Sequence, residues 1–175
     1  MTRLKLRINL EDTAETRSAW LEEISTSNAT EVSVAPIDLA ELPAVGRLMY
    51  DSYLNTIDYD NETIEDAEQE VIQTFGGKYG DVLQYCSLVA KDCDGTMMSA
   101  VVFTATSEEL PPLLAFAMTR PLFQGRKLSA TLILKALDLL SSRGVMQCDL
   151  VVTEGNDRAI RLYQKIGFRC LDLTI

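Results

Sequence analysis

The segment Pro121–Leu140, PLFQGRKLSATLILKALDLL, sets a glycine, an arginine, a lysine and a serine just ahead of a helix too apolar to face water. Before it runs LLAFAMT (Leu113–Thr119), an uncharged stretch after Pro111-Pro112 that reads as a central strand. A strand that turns into a helix at QGRKLSA aims several unpaired backbone N–H groups at one point, and the helix dipole adds partial positive charge there. Gly125 admits a ligand close to the main chain, while Arg126 and Lys127 add full charge, a combination suited to a diphosphate. The loop is neither GxxxxGK[ST] nor GxGxxG. A tight turn with two solvated basic residues would look the same, so these seven residues alone leave both readings open.

The elements on either side follow from periodicity and punctuation. Downstream, CDLVV is a strand, Asn156-Asp157 caps the helix RAIRLYQKI, Gly167 ends it, and FRCLDLTI is a last strand. Upstream, Leu4, Leu6, Ile8 and Leu10 alternate with polar residues as in a half-buried strand. Asp12 and Glu15 have the spacing of a capping box for a helix with Trp20, Leu21 and Ile24 inward, ending in a polar loop near Thr30. EVSVA is a short strand closed by Pro36, and Pro43 opens a helix carrying Val45, Leu48, Met49 and Tyr53 on one face. TIEDAEQEVIQTFGG is a further helix with Ile64, Val71, Ile72 and Phe75 inward and Gly76-Gly77 as its stop. YCSLVAKD and TMMSAVVFTA form a strand pair joined at Asp94-Gly95. The order predicts one α/β (α+β mixed) domain: a central mixed, mostly antiparallel sheet flanked by helices, with a strand–helix extension over 1–30 ahead of a core over 31–175.

Composition narrows the chemistry. There is no histidine among the 175 residues, so Ser–His, Cys–His and histidine relay schemes are excluded. Cys86, Cys93, Cys148 and Cys170 lack metal-ligand spacing; the expectation is four reduced thiols and no metal. A charged N-terminus and the lack of a long apolar run predict a soluble, cytoplasmic protein without a membrane partner. The net charge of −10 disfavours nucleic acid. Charge is also unevenly placed. Leu110–Leu137 holds no acid but carries Arg120, Arg126, Lys127 and Lys135, whereas Asp51–Glu70 holds eight acids and no base.

Taken with its second half, the quoted segment resembles the GNAT superfamily of acyl-CoA N-acyltransferases. The residues that carry the likeness are Pro121, Gln124, Gly125 and Arg126, then Asn156, Ala159, Tyr163, Gly167 and Phe168, spread over two helices and the strand between them. The resemblance implies acetyl-CoA as cosubstrate and transfer of its acetyl group to a primary amine. It implies that Ala117, Met118 and Thr119 pair with the pantetheine arm. It also implies that the diphosphate sits on Gly125, Arg126, Lys127, Leu128, Ser129 and Ala130 behind Gln124. Asn156 would touch the cofactor arm, and Tyr163 would lie by the thioester sulfur as the catalytic acid.

Departures from the family pattern matter as well. Lys127 and Ser129 stand where the family's loop has glycines; Lys127 either crowds the phosphates or adds a contact, and a place in a first helical turn, which needs no positive φ, favours the contact. The strand position that holds a general-base Glu in some relatives is Val151 here, which leaves Glu154, Glu108, Glu109, Asp58 or water to take the amine's proton. Only seven residues follow Phe168, where relatives have two strands. Either the Leu4–Leu10 strand fills that place within the chain, or a partner chain does so in a homodimer. The acidic strip between the two upstream helices points to a cationic small molecule or protein amine as acceptor. A non-catalytic CoA-binding or protein-interaction domain is the alternative.

Overall fold

The computed structural model describes residues 2–27 and 32–171, so residues 28–31, where a polar loop is expected, and the last four residues of the expected final strand lie outside it. The strands are β1 (Arg3–Asn9), β2 (Ser33–Pro36), β3 (Asp81–Val82), β4 (Leu88–Lys91), β5 (Met97–Ala105), β6 (Leu113–Thr119), β7 (Gln147–Thr153) and β8 (Arg169–Cys170). The helices are α1 (Ala14–Ser27), α2 (Leu42–Tyr53), α3 (Ile64–Phe75), α4 (Leu128–Ser142) and α5 (Asp157–Ile166). The expected order is recovered, with the two-residue β3 as an addition. The sheet runs β2-β4-β5-β6-β7-β1-β8, with β3 on β5, and every pairing is antiparallel except β6 with β7. Among the described residues no helix is long and apolar enough to cross a membrane.

Two apolar clusters lie on opposite faces. Met98, Val101 and Phe103 of β5 join the α1 and α4 side, while Met97, Ala100 and Val102 join the α2 and α3 side. A strand buried on both faces reads as a continuous apolar run, as MMSAVVF does. Helix α4 buries eight side chains from Leu128 to Leu140, which fixes its first turn rigidly against the sheet. Helix α5 starts at the Asn156 cap and stops at Gly167, whose φ of 123° and approach to Thr13 leave no room for a Cβ (2.9 Å from Cγ2).

The N-terminal strand lies between β7 and β8. β1 pairs with β7 along its length and with β8 on its other side, all within one chain. A half-buried ion pair pins the register: the buried Asp149 lies opposite Arg7, accepts from Arg7 Nε at 2.6 Å and Nη2 at 2.8 Å, and meets Lys5 Nζ at 2.9 Å. Burial alone would raise the Asp149 carboxyl, but the bonds from Arg7 and Lys5 outweigh it and hold it below the usual range.

Two local expectations are corrected. The turn into α1 is organised by Asn9, not by an Asp12–Glu15 box. Asn9 Oδ1 accepts from the amides of Glu11 and Asp12, its carbonyl takes the Thr13 hydroxyl, and the helix starts at Ala14, one residue later than an Asp12 cap would place it. Ile72 is exposed, since Ala67, Val71 and Thr74 already fill the face of α3 that meets the core. The capping box that does form belongs to α3, between Thr63 and Asp66.

Candidate active site

Strands β6 and β7 pair only at Leu113 with Asp149 and Leu114 with Leu150, then part. Beyond that point β6 stays bonded to β5 through Thr119, so its other edge faces a gap between two central strands. A cleft of about 590 Å³ opens there between α4 and α5. Ala117 and Thr119 line it from β6, Gln124, Gly125 and Lys127 from the loop, Leu128, Ser129 and Ala130 from the first turn of α4, and Asn156 and Tyr163 from α5 and its cap. Two of the residues expected there do not line it: Met118 is fully buried in the α2–α3 cluster, and Arg126 lies over the Phe123 ring at 5.3 Å.

The loop is built so that main-chain donors face the cleft. A 3-10 turn at Pro121–Phe123 reverses the chain, Gly125 takes φ 81°, and the first helical bond of α4 is Thr131 N to Lys127 O at 2.9 Å. The amides of the opening turn therefore have no acceptor within the helix, and no side chain caps them. Lys127 is the N-cap with φ 58° and ψ 18°, a left-handed conformation. The expectation that it needs no positive φ is thus overturned: the loop demands glycine-like geometry here, and a lysine meets it at the expense of Cβ crowding. Its ammonium lies 3.8 Å from Glu23 of α1. Gln124 ties the loop to both walls, accepting from Arg158 Nη1 and donating to the Thr119 carbonyl at 3.4 Å.

At the inner end stand two tyrosines and a carboxylate. Asn156 Oδ1 accepts from the Ala159 amide at 3.2 Å as a helix cap, and its Nδ2 donates to Asp58 at 2.9 Å. Asp58 also accepts from the Thr153 hydroxyl at 2.5 Å, so one side chain ties the α2–α3 loop to both β7 and α5. Burial, reinforced by the Asp58 charge, pushes the Tyr163 phenol up to about 12, and its ring packs edge-on to Phe168 at 6.0 Å. Burial likewise pushes Tyr53 well above its usual value, as do the neighbouring Tyr163 and Asp58, against a hydrogen bond from the Ala117 amide. A second, smaller cleft of about 330 Å³ reaches the same spot from the other side, sharing Tyr53, Asp58, Ala117, Asn156, Ala159 and Tyr163 with the first. Tyr53 and Thr153 were not legible as site residues. Tyr53 fits an ordinary apolar helix face, and the partner of Thr153 is 95 residues away.

The Acetyltransferase (GNAT) family model matches residues 79–168, just over half of the chain. The chain belongs to this family. Its GNAT fold is shared with a GCN5-related N-acetyltransferase of Sphaerobacter thermophilus (TM-score 0.67, 14% identity), covering 97% of this chain and 48% of that one. It is shared also with the PaiA N-acetyltransferase of Thermoplasma acidophilum in complex with coenzyme A (TM-score 0.65, 19% identity; 82% of this chain, 92% of that one). At such identities the likeness concerns the fold. A 55-residue segment is 44% identical to mycothiol acetyltransferase of Streptosporangium roseum; it makes up 31% of this chain and 16% of that protein. The chain thus spans about half of the Sphaerobacter structure and matches a small part of the mycothiol enzyme.

Proposed function

We propose that this GNAT chain transfers an acetyl group from acetyl-CoA to a primary amine. The observation that carries the reading is the parting of β6 and β7 beyond Leu114 and Leu150, with uncapped α4 amides at the outer end of the gap and the Tyr163 phenol at the inner end. Acetyl-CoA supplies the activated acyl thioester. Its diphosphate fits the first turn of α4, where N–H groups lack acceptors within the helix and the N-cap side chain makes no bond to them. Its arm fits the free edge of β6, and the cleft volume lies within the range of small-molecule sites.

The chain's own residues divide the remaining work. The Tyr163 phenol stays protonated throughout the neutral range. Against a thiol of pKa about 8.5, its full proton transfer to sulfur is uphill by roughly 5 kcal/mol, so it donates a hydrogen bond to the departing sulfur instead of giving up its proton. The proton that the sulfur finally gains is one released by the attacking amine, carried over directly or through water. Asp58 holds the α2–α3 loop at the junction of the two clefts, where it bounds the space open to that amine.

The smaller cleft is the acceptor's entrance in this reading, and Asp58, Glu62 and Glu70 line it. Much of the acidic strip already has internal partners: Asp51 meets Arg120 at 3.0 Å, Asp66 caps α3, and Glu70 accepts from Lys78 and Tyr79. With Glu70 paired, Asp58 and Glu62 are the carboxylates without an ion pair on this cleft among the described residues; they line it together with Arg3 and favour a cationic acceptor. The test is a panel of neutral, acidic and cationic amines with acetyl-CoA, monitored by thiol release. Transfer to cationic amines that weakens steeply with salt is the expected result, and preference for an acidic amine would refute the acceptor assignment. Val151, at the strand position where some relatives carry a general-base Glu, favours one competing reading, a CoA-binding domain without turnover, which would bind CoA and release no thiol with any amine.

A further inference from the structure

Strand β1 lies outside the residues matched by the family model, yet its first residue, Arg3, lines the smaller cleft with Asp58, Glu62 and Tyr163. The pleat of the strand puts it there. Leu6 and Ile8 turn into the α1–α4 cluster with Leu4 packed against it, so Arg3, Lys5 and Arg7 point to the opposite face of the sheet. On that face Arg3 stands opposite Thr153, and directly opposed residues hold their Cβ atoms about 5 Å apart. The Thr153 hydroxyl is the group that donates to Asp58, so Arg3 and Asp58 flank the same threonine. The backbone at this point is held by the Glu154 amide, which donates to the Thr2 carbonyl at 3.0 Å.

Charge sets Arg3 apart from its neighbours. Lys5 and Arg7 both turn to Asp149, whereas Arg3 has no ion pair among the described residues. Asp58 accepts from Thr153 and Asn156, both neutral, Glu62 accepts from the Asp60 amide, and Glu70 is taken by Lys78. Among the described residues, the charges that this cleft leaves for an acceptor are therefore two carboxylates and one guanidinium. A simple diamine satisfies the carboxylates and is repelled by the guanidinium. A molecule with two ammonium groups and one carboxylate matches all three, and a volume of about 330 Å³, at the small end of ligand sites, suits one small molecule.

We propose that the acceptor is a small diamino carboxylic acid, its carboxylate held by Arg3 and its ammonium groups by Asp58 and Glu62. One ammonium releases a proton to solvent, the neutral amine forms the C–N bond as the C–S bond breaks, and a second proton from that nitrogen ends on the thiol. This rests on the acetyltransferase reading above and narrows its acceptor class. It also gives the N-terminal strand a part in specificity beyond its pairing in the sheet.

The full chain is supplied with acetyl-CoA and either ornithine or lysine, beside putrescine and cadaverine, the same two molecules without the carboxylate, and thiol release gives kcat/KM for each. Each diamino acid is expected to exceed its diamine about tenfold, as for one charge-assisted hydrogen bond at an exposed side chain. Arg3→Gln is expected to lower kcat/KM for the diamino acids about tenfold, through KM, and to raise it for the diamines, which no longer meet a repelling charge. Arg3→Lys, which keeps the charge without the planar fork, should recover part of the loss. Diamines used as well as the diamino acids, turnover confined to amines outside these pairs, or an equal change for both members of a pair in Arg3→Gln overturns this proposal and leaves the acetyltransferase reading intact. Absence of thiol release with every amine overturns that reading itself. The wild-type comparison decides the matter even if a variant fails to fold.

Discussion

Lys127 offers a perturbation in which backbone and charge can be separated. Its φ of 58° places an L-residue in the left-handed region, at roughly 1–2 kcal/mol relative to glycine. Glycine has the freer unfolded chain, which gives back about 0.5–1 kcal/mol. The Lys127–Glu23 pair is exposed on both sides, so its loss contributes little. Lys127→Ala should therefore match the wild type in stability, and Lys127→Gly should exceed Lys127→Ala by about 0.5–1 kcal/mol, or roughly 1–4 °C in melting temperature at this chain length. CoA affinity should move the other way. A unit charge about 4 Å from a phosphate is worth roughly 1 kcal/mol in water, so both variants should bind CoA about fivefold more weakly at low salt, with the gap closing as salt rises. Differential scanning fluorimetry and calorimetry read the two quantities. A glycine variant less stable than the alanine variant would refute the backbone argument. Tighter CoA binding by either variant would show that the lysine side chain crowds the phosphates.

Three further outcomes follow from the same geometry. Tyr163→Phe should lower kcat about 10- to 100-fold with CoA affinity within about twofold of wild type, since the phenol acts on the departing sulfur and not on the nucleotide. Steady-state kinetics beside a binding titration checks this. Asp58→Asn keeps the size of the latch but weakens its charge-assisted bonds to Thr153 and Asn156; kcat/KM for the amine should fall about tenfold while CoA binding holds, and equal losses in both would contradict the assignment. In alkali, Cys86 and Tyr163 keep their protons to about 12 in the fold, well above their ordinary values of 9 and 10, because burial disfavours their charged forms. The unfolded chain therefore binds fewer protons, and stability should fall as pH rises from about 9 towards 12. Urea denaturation across that range should show a shallower fall for Cys86→Ala from the start and for Tyr163→Phe from one unit higher.

Much of the fold was legible because local signals agreed with it. LLAFAMT is β6 residue for residue, Asn156 caps α5, Gly167 stops it, and the alternating Leu4–Leu10 pattern inserts between β7 and β8. What escaped depends on contacts between distant segments. The left-handed turn at Lys127 is imposed by the placement of a rigid α4 against the sheet, and lysine carries no mark of it. Asn9 displaced Asp12 as organiser of the first turn because its side chain, at the end of β1, accepts from both the Glu11 and the Asp12 amide. Asp58 was one acid among eight in its strip until the fold brought Thr153 and Asn156 to it. Trp20 sits at ordinary helix spacing, and only the tertiary arrangement brings it to the wall of the cleft.

The central claim is that the open first turn of α4 and the gap between β6 and β7 together hold CoA. Calorimetric titration of the wild-type chain with CoA, beside Ser129→Asp, tests it most directly, because an added carboxylate at that turn repels phosphate while a helix N-terminus tolerates it well. The account predicts one-site binding by the wild type and a loss of at least tenfold in the folded variant. No heat in the wild type, or equal binding by both proteins, would contradict it.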